Sequence, residues 1–192
     1  MRAVLGSLMI VAMVACSEAA QEPEAPVVTM ETSKGTIRIE LYPDEAPISV
    51  ENFLAYVDSG FYDGLSFHRV VPGFVIQGGG FEGDMVKREP TRDAIQNESD
   101  NGLKNLRGTL SMARLPTAHS ATSQFFVNLV DNPALDHGGQ PGQTWGYAVF
   151  GRVVDGMGVI DEIAQVRTTQ KAGMANVPVE PVIIVRAYRD DG

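Results

Sequence analysis

FHRVVPGFVIQGGGF, residues 67–81, is the stretch on which the reading turns. Two basic side chains, His68 and Arg69, sit in an otherwise apolar run that Pro72-Gly73 interrupts; Gln77 and three glycines come next. A phosphate loop, a metal site and an arginine displayed from a strand all compete for it. Gly78, Gly80 and Gly83 match G-x-G-x-x-G by letter, but that fingerprint needs a helix directly behind it. The segment behind it is DMVKREPTRD, residues 84–93, with Pro90 and no helical period, so the glycines read as a tight backbone turn. His68, His119 and His137 do not pair at a ligand spacing, and no metal is expected. No G-x-S-x-G elbow marks a serine nucleophile. There remains Arg69. Strand alternation puts Phe67, Arg69 and Val71 on one side, with Ser66, His68 and Val70 on the other. Alternation alone leaves two readings open: a rim salt bridge whose stem lies on apolar surface, or a guanidinium offered for chemistry.

Outward from this stretch, strand-like runs dominate. VVTMET (27–32) and TIRIEL (36–41) flank the turn residues SKG, a hairpin pattern, and Ile37, Ile39 and Leu41 alternate with Arg38 and Glu40. LSFHRVV (65–71), FVIQ (74–77), GTLSMAR (108–114), SQFFVNL (123–129), GYAVFGRVV (146–154) and PVIIVRAYR (181–189) are six more. Val50, Phe53, Leu54 and Val57 change to a helical period over about 47–59, with Pro47 suited to the first turn and Gly60 to the end. Met157, Ile160 and Ile163/Ala164 share a face of a second helix over about 156–165. Residues 78–108 are polar and irregular, and long loops of this kind often carry function. Many strands and two helices suggest mostly β structure: antiparallel strands closed into a barrel, which leaves no edge, with the helices as caps.

The chain has 192 residues, 44% hydrophobic and 20% charged, which suits one ordinary globular domain with a real core. Its net charge of −9 argues against a phosphate backbone as partner, so no nucleic acid is expected. The N-terminus reads differently from the rest. Arg2 precedes a run, 3–15, that is apolar or small apart from Ser7; it is too short to span a bilayer and reads as a signal peptide, 1–15. MVAC, residues 13–16, resembles the lipobox of bacterial lipoproteins, with Met13 where Leu is usual. That resemblance implies a lipidated Cys16; ordinary secretory cleavage or an unlipidated thiol are the alternatives. Residues 16–26 then form a polar tether and 27–190 the domain. The expected location is the periplasm-facing cell envelope, lipid-anchored, with a soluble periplasmic form as the alternative. Ser17 leans the anchor toward the outer membrane.

The run FHRVVPGFVIQGG resembles the signature of the cyclophilin peptidyl-prolyl isomerases, and NGLKNLRGTLSMAR, SATSQFFVNL, LDHG and GYAVFGRVVDGMGVID resemble successive blocks of that family, in order. The likeness covers about 27–190 and is nearest the bacterial, secreted branch. It implies a closed eight-stranded antiparallel barrel capped by two α-helices, with a proline-binding groove on its outer face. It also implies isomerisation of X-Pro bonds in proline-containing polypeptides, no cofactor, and a monomer. By motif, Arg69 corresponds to the catalytic arginine and Gln77 to the glutamine that holds the substrate backbone. Phe74, Val75, Phe126 and Leu135 correspond to the pocket for the proline ring; His68, Ala113, Arg114, Gln124 and Tyr147 line the groove. Of the neighbours Phe125 and Phe126, one faces the barrel interior and Phe126 the groove.

The chain departs from the family at Ala134, where Trp or Phe is frequent, at Tyr147, often His, and at Arg114, often Asn. Trp145 either replaces the missing aromatic or packs locally. Rotation about an X-Pro amide breaks no bond, so neither nucleophile nor cofactor is needed. The twisted nitrogen regains a lone pair, and a permanently charged guanidinium is suited to donate to it. A proline-recognising chaperone that uses the same groove without turnover is the main rival; a purely structural envelope lipoprotein is a third reading.

Overall fold

The computed structural model describes residues 25–190; the expected signal segment, Cys16 and most of the tether lie outside them. Among the described residues there are ten strands, two α-helices and one 3-10 turn. The strands are β1 (Val27–Thr32), β2 (Gly35–Leu41), β3 (Arg69–Val71), β4 (Val75–Gly78), β5 (Thr109–Met112), β6 (Phe125–Asn128), β7 (Val149–Asp155), β8 (Thr168–Lys171), β9 (Met174–Pro178) and β10 (Ile184–Arg189). The helices are α1 (Pro47–Asp58) and α2 (Met157–Ala164), and the 3-10 turn spans Pro133–Leu135.

Eight of the strands form one antiparallel sheet in the order β10-β1-β2-β7-β5-β6-β4-β3, and each overlaps a run whose composition reads as strand, to within one residue at the ends of β2, β4 and β7. The closed barrel is corrected to an open half-barrel, because β3 and β10 are its two edges and share no ladder. Only a few main-chain bonds cross that seam, such as Phe67 N–H to the Val182 carbonyl (2.9 Å) and Ile184 N–H to the Leu65 carbonyl (2.7 Å). β3 is three residues long and Pro181, beside the seam, has no N–H to give, so a continuous ladder has little to run on. β8 and β9 make a separate hairpin, turned by Ala172 (φ 50°) and Gly173 (φ 78°). Positive φ at both central residues is the I′ geometry that matches strand twist.

The concave side holds the core. Met30, Ile37, Ile39, Leu110, Val127 and Phe150 are fully buried there, and α1 closes over them with Val50, Phe53, Leu54 and Val57, the residues at helical spacing. Phe53 meets Tyr62, Phe125 and Phe150 at 5.2–5.5 Å between ring centres. Burying such a side chain contributes about 1.5–3 kcal/mol. Gly60 (φ 66°) ends α1: its N–H reaches the Val57 carbonyl while Phe61 N–H reaches that of Tyr56, and the two rings pack at 4.6 Å. At the other end, the Glu98 carboxylate accepts from Ile48 N–H (3.0 Å), Ser49 N–H (2.8 Å) and the Ser49 hydroxyl (2.6 Å). The long loop therefore caps the helix, where free N–H groups favour an anion. Among the described residues no helix is long and apolar enough to cross a membrane.

Candidate active site

The Pro72-Gly73 turn, with Gly73 at φ 69°, folds β3 back on β4 so that Arg69 pairs with Gln77, Val70 with Ile76 and Val71 with Val75. β6 continues the rows: Gln77 opposes Phe126, and Ile76 opposes Val127. Directly paired residues share a face. One row, Val70, Ile76, Val127 and Leu110, is fully buried in the core. The next row, Arg69, Gln77 and Phe126, stands on the convex face. Alternation thus sends Arg69 outward, and Phe125 inward beside Phe126.

Its phase does not extend back to Phe67, however. The chain is irregular at 67–68, and Phe67 turns into the core against Phe125 (6.1 Å), so Phe67 and Arg69 do not share a side. His68 is 1% exposed and lies on Phe81, 4.6 Å between ring centres, rather than in the groove. Neither ring nitrogen has a hydrogen-bond partner. Burial lowers its pKa from 6.5 to about 4; the Arg69 charge pushes the same way, and the Ser66 main chain, short of a hydrogen bond, opposes.

Arg69, Phe74, Val75, Gln77, Ala113, Arg114, Phe126, Leu135 and Tyr147 line one hollow of about 100 Å3. That is well below the roughly 300–1,000 Å3 of drug-sized sites and suits one small ring. Val75, Phe126 and Leu135 form its dry floor, and Tyr147 meets Phe126 edge-on at 5.5 Å. Arg69 stands half-exposed at the rim; its Nη1 donates to Gln77 Oε1 at 3.4 Å, and Gln77 Nε2 donates to Gln124 Oε1 at 2.9 Å. Gln124 itself lines an adjoining hollow of about 320 Å3 that shares Gln77, Ala113 and Arg114 with the first. Among the described residues Arg69 has that one long bond and no ion pair. Most of its donors therefore have no partner among the described residues, which removes the rim salt bridge as an explanation for it.

Trp145 lies between His119 (5.0 Å) and His137 (5.4 Å), outside the lining, so it packs locally and does not replace the aromatic missing at Ala134. Among the described residues no three His, Cys, Asp or Glu side chains stand together as metal ligands.

The match to known proteins is extensive. The model of the family described as cyclophilin type peptidyl-prolyl cis-trans isomerase/CLD matches residues 27–189. This chain belongs to the cyclophilins. Peptidyl-prolyl cis-trans isomerase A of Dickeya dadantii is 54% identical over 160 residues, 83% of this chain and 82% of that one. Peptidyl-prolyl cis-trans isomerase B of Escherichia coli is 52% identical over 158 residues, 82% and 96% of the two chains. A Cryptosporidium parvum cyclophilin-type isomerase, crystallised in the presence of the dipeptide Ala-Pro, superposes with a TM-score of 0.71 at 26% identity, over 86% of this chain and 99% of its own.

Beneath the hollow this cyclophilin carries a buried amide network that the sequence does not announce. Asn132 Nδ2 donates to the Phe74 carbonyl (3.1 Å) and to Asn128 Oδ1 (2.8 Å). Asn128 Nδ2 donates to Asn105 Oδ1 (3.3 Å) and Thr109 Oγ1 (2.9 Å), and Asn105 Nδ2 to Asp136 Oδ1 (3.1 Å) and the Tyr147 carbonyl (3.3 Å). The network ties Phe74 and Tyr147, both of which line the hollow, to one support. Its one local signal is Asn128 inside the apolar run SQFFVNL.

Proposed function

We propose that this chain accelerates rotation about X-Pro peptide bonds, with the prolyl ring in the hollow floored by Phe126 and Arg69 at its mouth. The observation that carries the reading is the placement of an unpaired, permanently charged donor beside a dry, ring-sized hollow. Conjugation makes the planar amide a poor acceptor at nitrogen. At the twisted geometry the nitrogen becomes pyramidal and accepts a hydrogen bond, so Arg69 stabilises the transition state more than the ground state. The floor of Val75, Phe126 and Leu135 holds the ring. Gln77, oriented by Gln124, holds a backbone carbonyl, so that one side of the bond is fixed while the other turns. A ten-thousandfold acceleration requires about 5.4 kcal/mol. One charged hydrogen bond supplies about 1.5–3 kcal/mol, so exclusion of water and positioning supply the rest.

The test is a protease-coupled or NMR exchange assay on an X-Pro peptide, comparing the protein with Arg69→Ala. The variant is expected to lose roughly ten- to a hundredfold in rate, the kinetic equivalent of that bond, while still binding peptide in an NMR titration. Equal rates for the two would replace the enzyme with a proline-binding module.

The setting we infer is the cell envelope of a bacterium, where the domain acts as a monomer on folding proline-containing polypeptides, held to the membrane by lipid on Cys16. Support comes from the apolar run 3–15, MVAC at 13–16 and the polar run 17–26. Labelling cells with a fatty-acid analogue, with and without Cys16→Ala, tests the anchor; equal labelling excludes it.

A further inference from the structure

Arg114 borders the hollow, yet four main-chain carbonyls engage its guanidinium, one short of its five N–H donors. Nε donates to the Gly146 carbonyl (2.9 Å), Nη2 to that of Trp145 (2.6 Å), and Nη1 to those of Leu115 (3.0 Å) and Pro116 (3.2 Å). Its Cζ lies 4.7 Å over the Tyr147 ring centre. One planar fork thus joins the chain at 115–116 to the chain at 145–146 and caps the ring that walls the hollow.

The segment it holds is shared with two other side chains: Asn97 Nδ2 donates to the Gly146 carbonyl (3.1 Å) and Gly146 N–H donates to Ser99 Oγ (3.1 Å), so Arg114 adds the ties to Trp145 and to the Tyr147 ring. Residues 138–144, GGQPGQT, are all exposed. Downstream the chain is pressed against the 3-10 turn: Tyr147 N–H reaches the Leu135 carbonyl (2.8 Å), and a Cβ on Gly146 would stand 2.4 Å from that oxygen. Leu135 is itself part of the floor.

We infer that Arg114 is a positioning residue: it sets the Tyr147 wall of the prolyl hollow through the 145–146 carbonyls and does not itself donate to the peptide. This rests on the isomerase reading above. A lysine cannot replace it, because one ammonium on a flexible stem cannot serve carbonyls on two segments and cover a ring together.

The wall touches the ring in planar and twisted peptide alike, so its loss raises KM and leaves kcat. Trp145, the single tryptophan, reports the clamp directly, since its own carbonyl is one of the four. We would measure steady-state isomerisation of an X-Pro peptide and Trp145 emission for the protein, Arg114→Met, Arg114→Lys, Tyr147→Ala and the Arg114→Met/Tyr147→Ala pair. Arg114→Met is expected to raise KM roughly tenfold with kcat within about twofold, and to move Trp145 emission to the red. Arg114→Lys should stay close to Arg114→Met. Added to Tyr147→Ala, Arg114→Met should raise KM less than about twofold further. Additive KM effects, full rescue by lysine, or a raised KM with unchanged emission each overturn the inference. Should Arg114→Met not fold, Arg114→Gln, which keeps amide donors, carries the same cycle. If the wild-type protein itself fails to isomerise, the function reading falls, and the emission series still tests the clamp.

Discussion

Lowering the pH from 7 to 4 should unfold this protein in part through one residue, His68. Its ring is 1% exposed and neither nitrogen has a partner within hydrogen-bond geometry, so a charge there is compensated only in part, by the nearby Ser66 main chain. Desolvation, helped by the Arg69 charge, lowers its pKa from 6.5 to about 4. The unfolded chain therefore binds this proton first as the pH falls. Between 6.5 and 4 the unfolded state holds more protons than the folded state, and stability drops with pH through that window. It is fully present above 6.5 and stops changing below about 4. A shift of that size is worth about 3 kcal/mol at roughly 1.36 kcal/mol per pH unit. The assay is urea denaturation at a series of pH values, comparing the protein with His68→Leu. Carboxylates also titrate here, so the difference between the two proteins isolates the histidine. At pH 7 the variant should be within about 1 kcal/mol of the parent, because no hydrogen bond is lost and the volume is similar. At pH 4 it should be the more stable by about 3 kcal/mol. Parallel curves for the two proteins would refute the sealed, partnerless histidine.

Three further perturbations probe the supports of the site. Glu98→Ala removes the acceptor of two α1 N–H groups and the Ser49 hydroxyl, and should cost about 1–2 kcal/mol by urea midpoint. Asn128→Ala leaves Asn105 and Asn132 short of partners beneath the floor; we expect about 1–3 kcal/mol of destabilisation and a raised KM for an X-Pro peptide. Gly80→Ala would bring a Cβ to 2.6 Å from the Gln124 amide, which is free to swing away. It should therefore weaken the Gln77–Gln124 bond and slow isomerisation several-fold, with a melting temperature shifted by less than about 4 °C, under 1 kcal/mol for a domain of this size.

Much of the main sheet and both helices were legible in the chain because their information is local. Alternation in TIRIEL and the helical spacing of Val50, Phe53, Leu54 and Val57 state which side is buried, and Pro47 and Gly60 state where the helix starts and stops. The motif around Arg69 likewise marked the family through residue types at fixed spacing. The hairpin of β8 and β9 escaped notice. TTQKAGMANVP is mostly exposed, so no burial pattern is written into it, and its turn uses Ala-Gly where Asn-Gly is the stronger signal.

The site divides in the same way. Its members were named by motif, but their tasks depend on partners far along the chain. Whether Arg69 is free, Arg114 engaged or His68 sealed is decided by contacts with Gln77, the 145–147 segment and Phe81. The opening of the sheet between β3 and β10 belongs to the same class. By itself, then, the sequence determined both helices, the strands of the main sheet and most of their inward faces, which come from backbone periodicity within a few residues, and it marked the groove's residue types by motif. Only the tertiary structure decided which polar groups were already paired and which were left for a substrate, because hydrogen bonds between distant segments depend on how the sheet packs rather than on any local period.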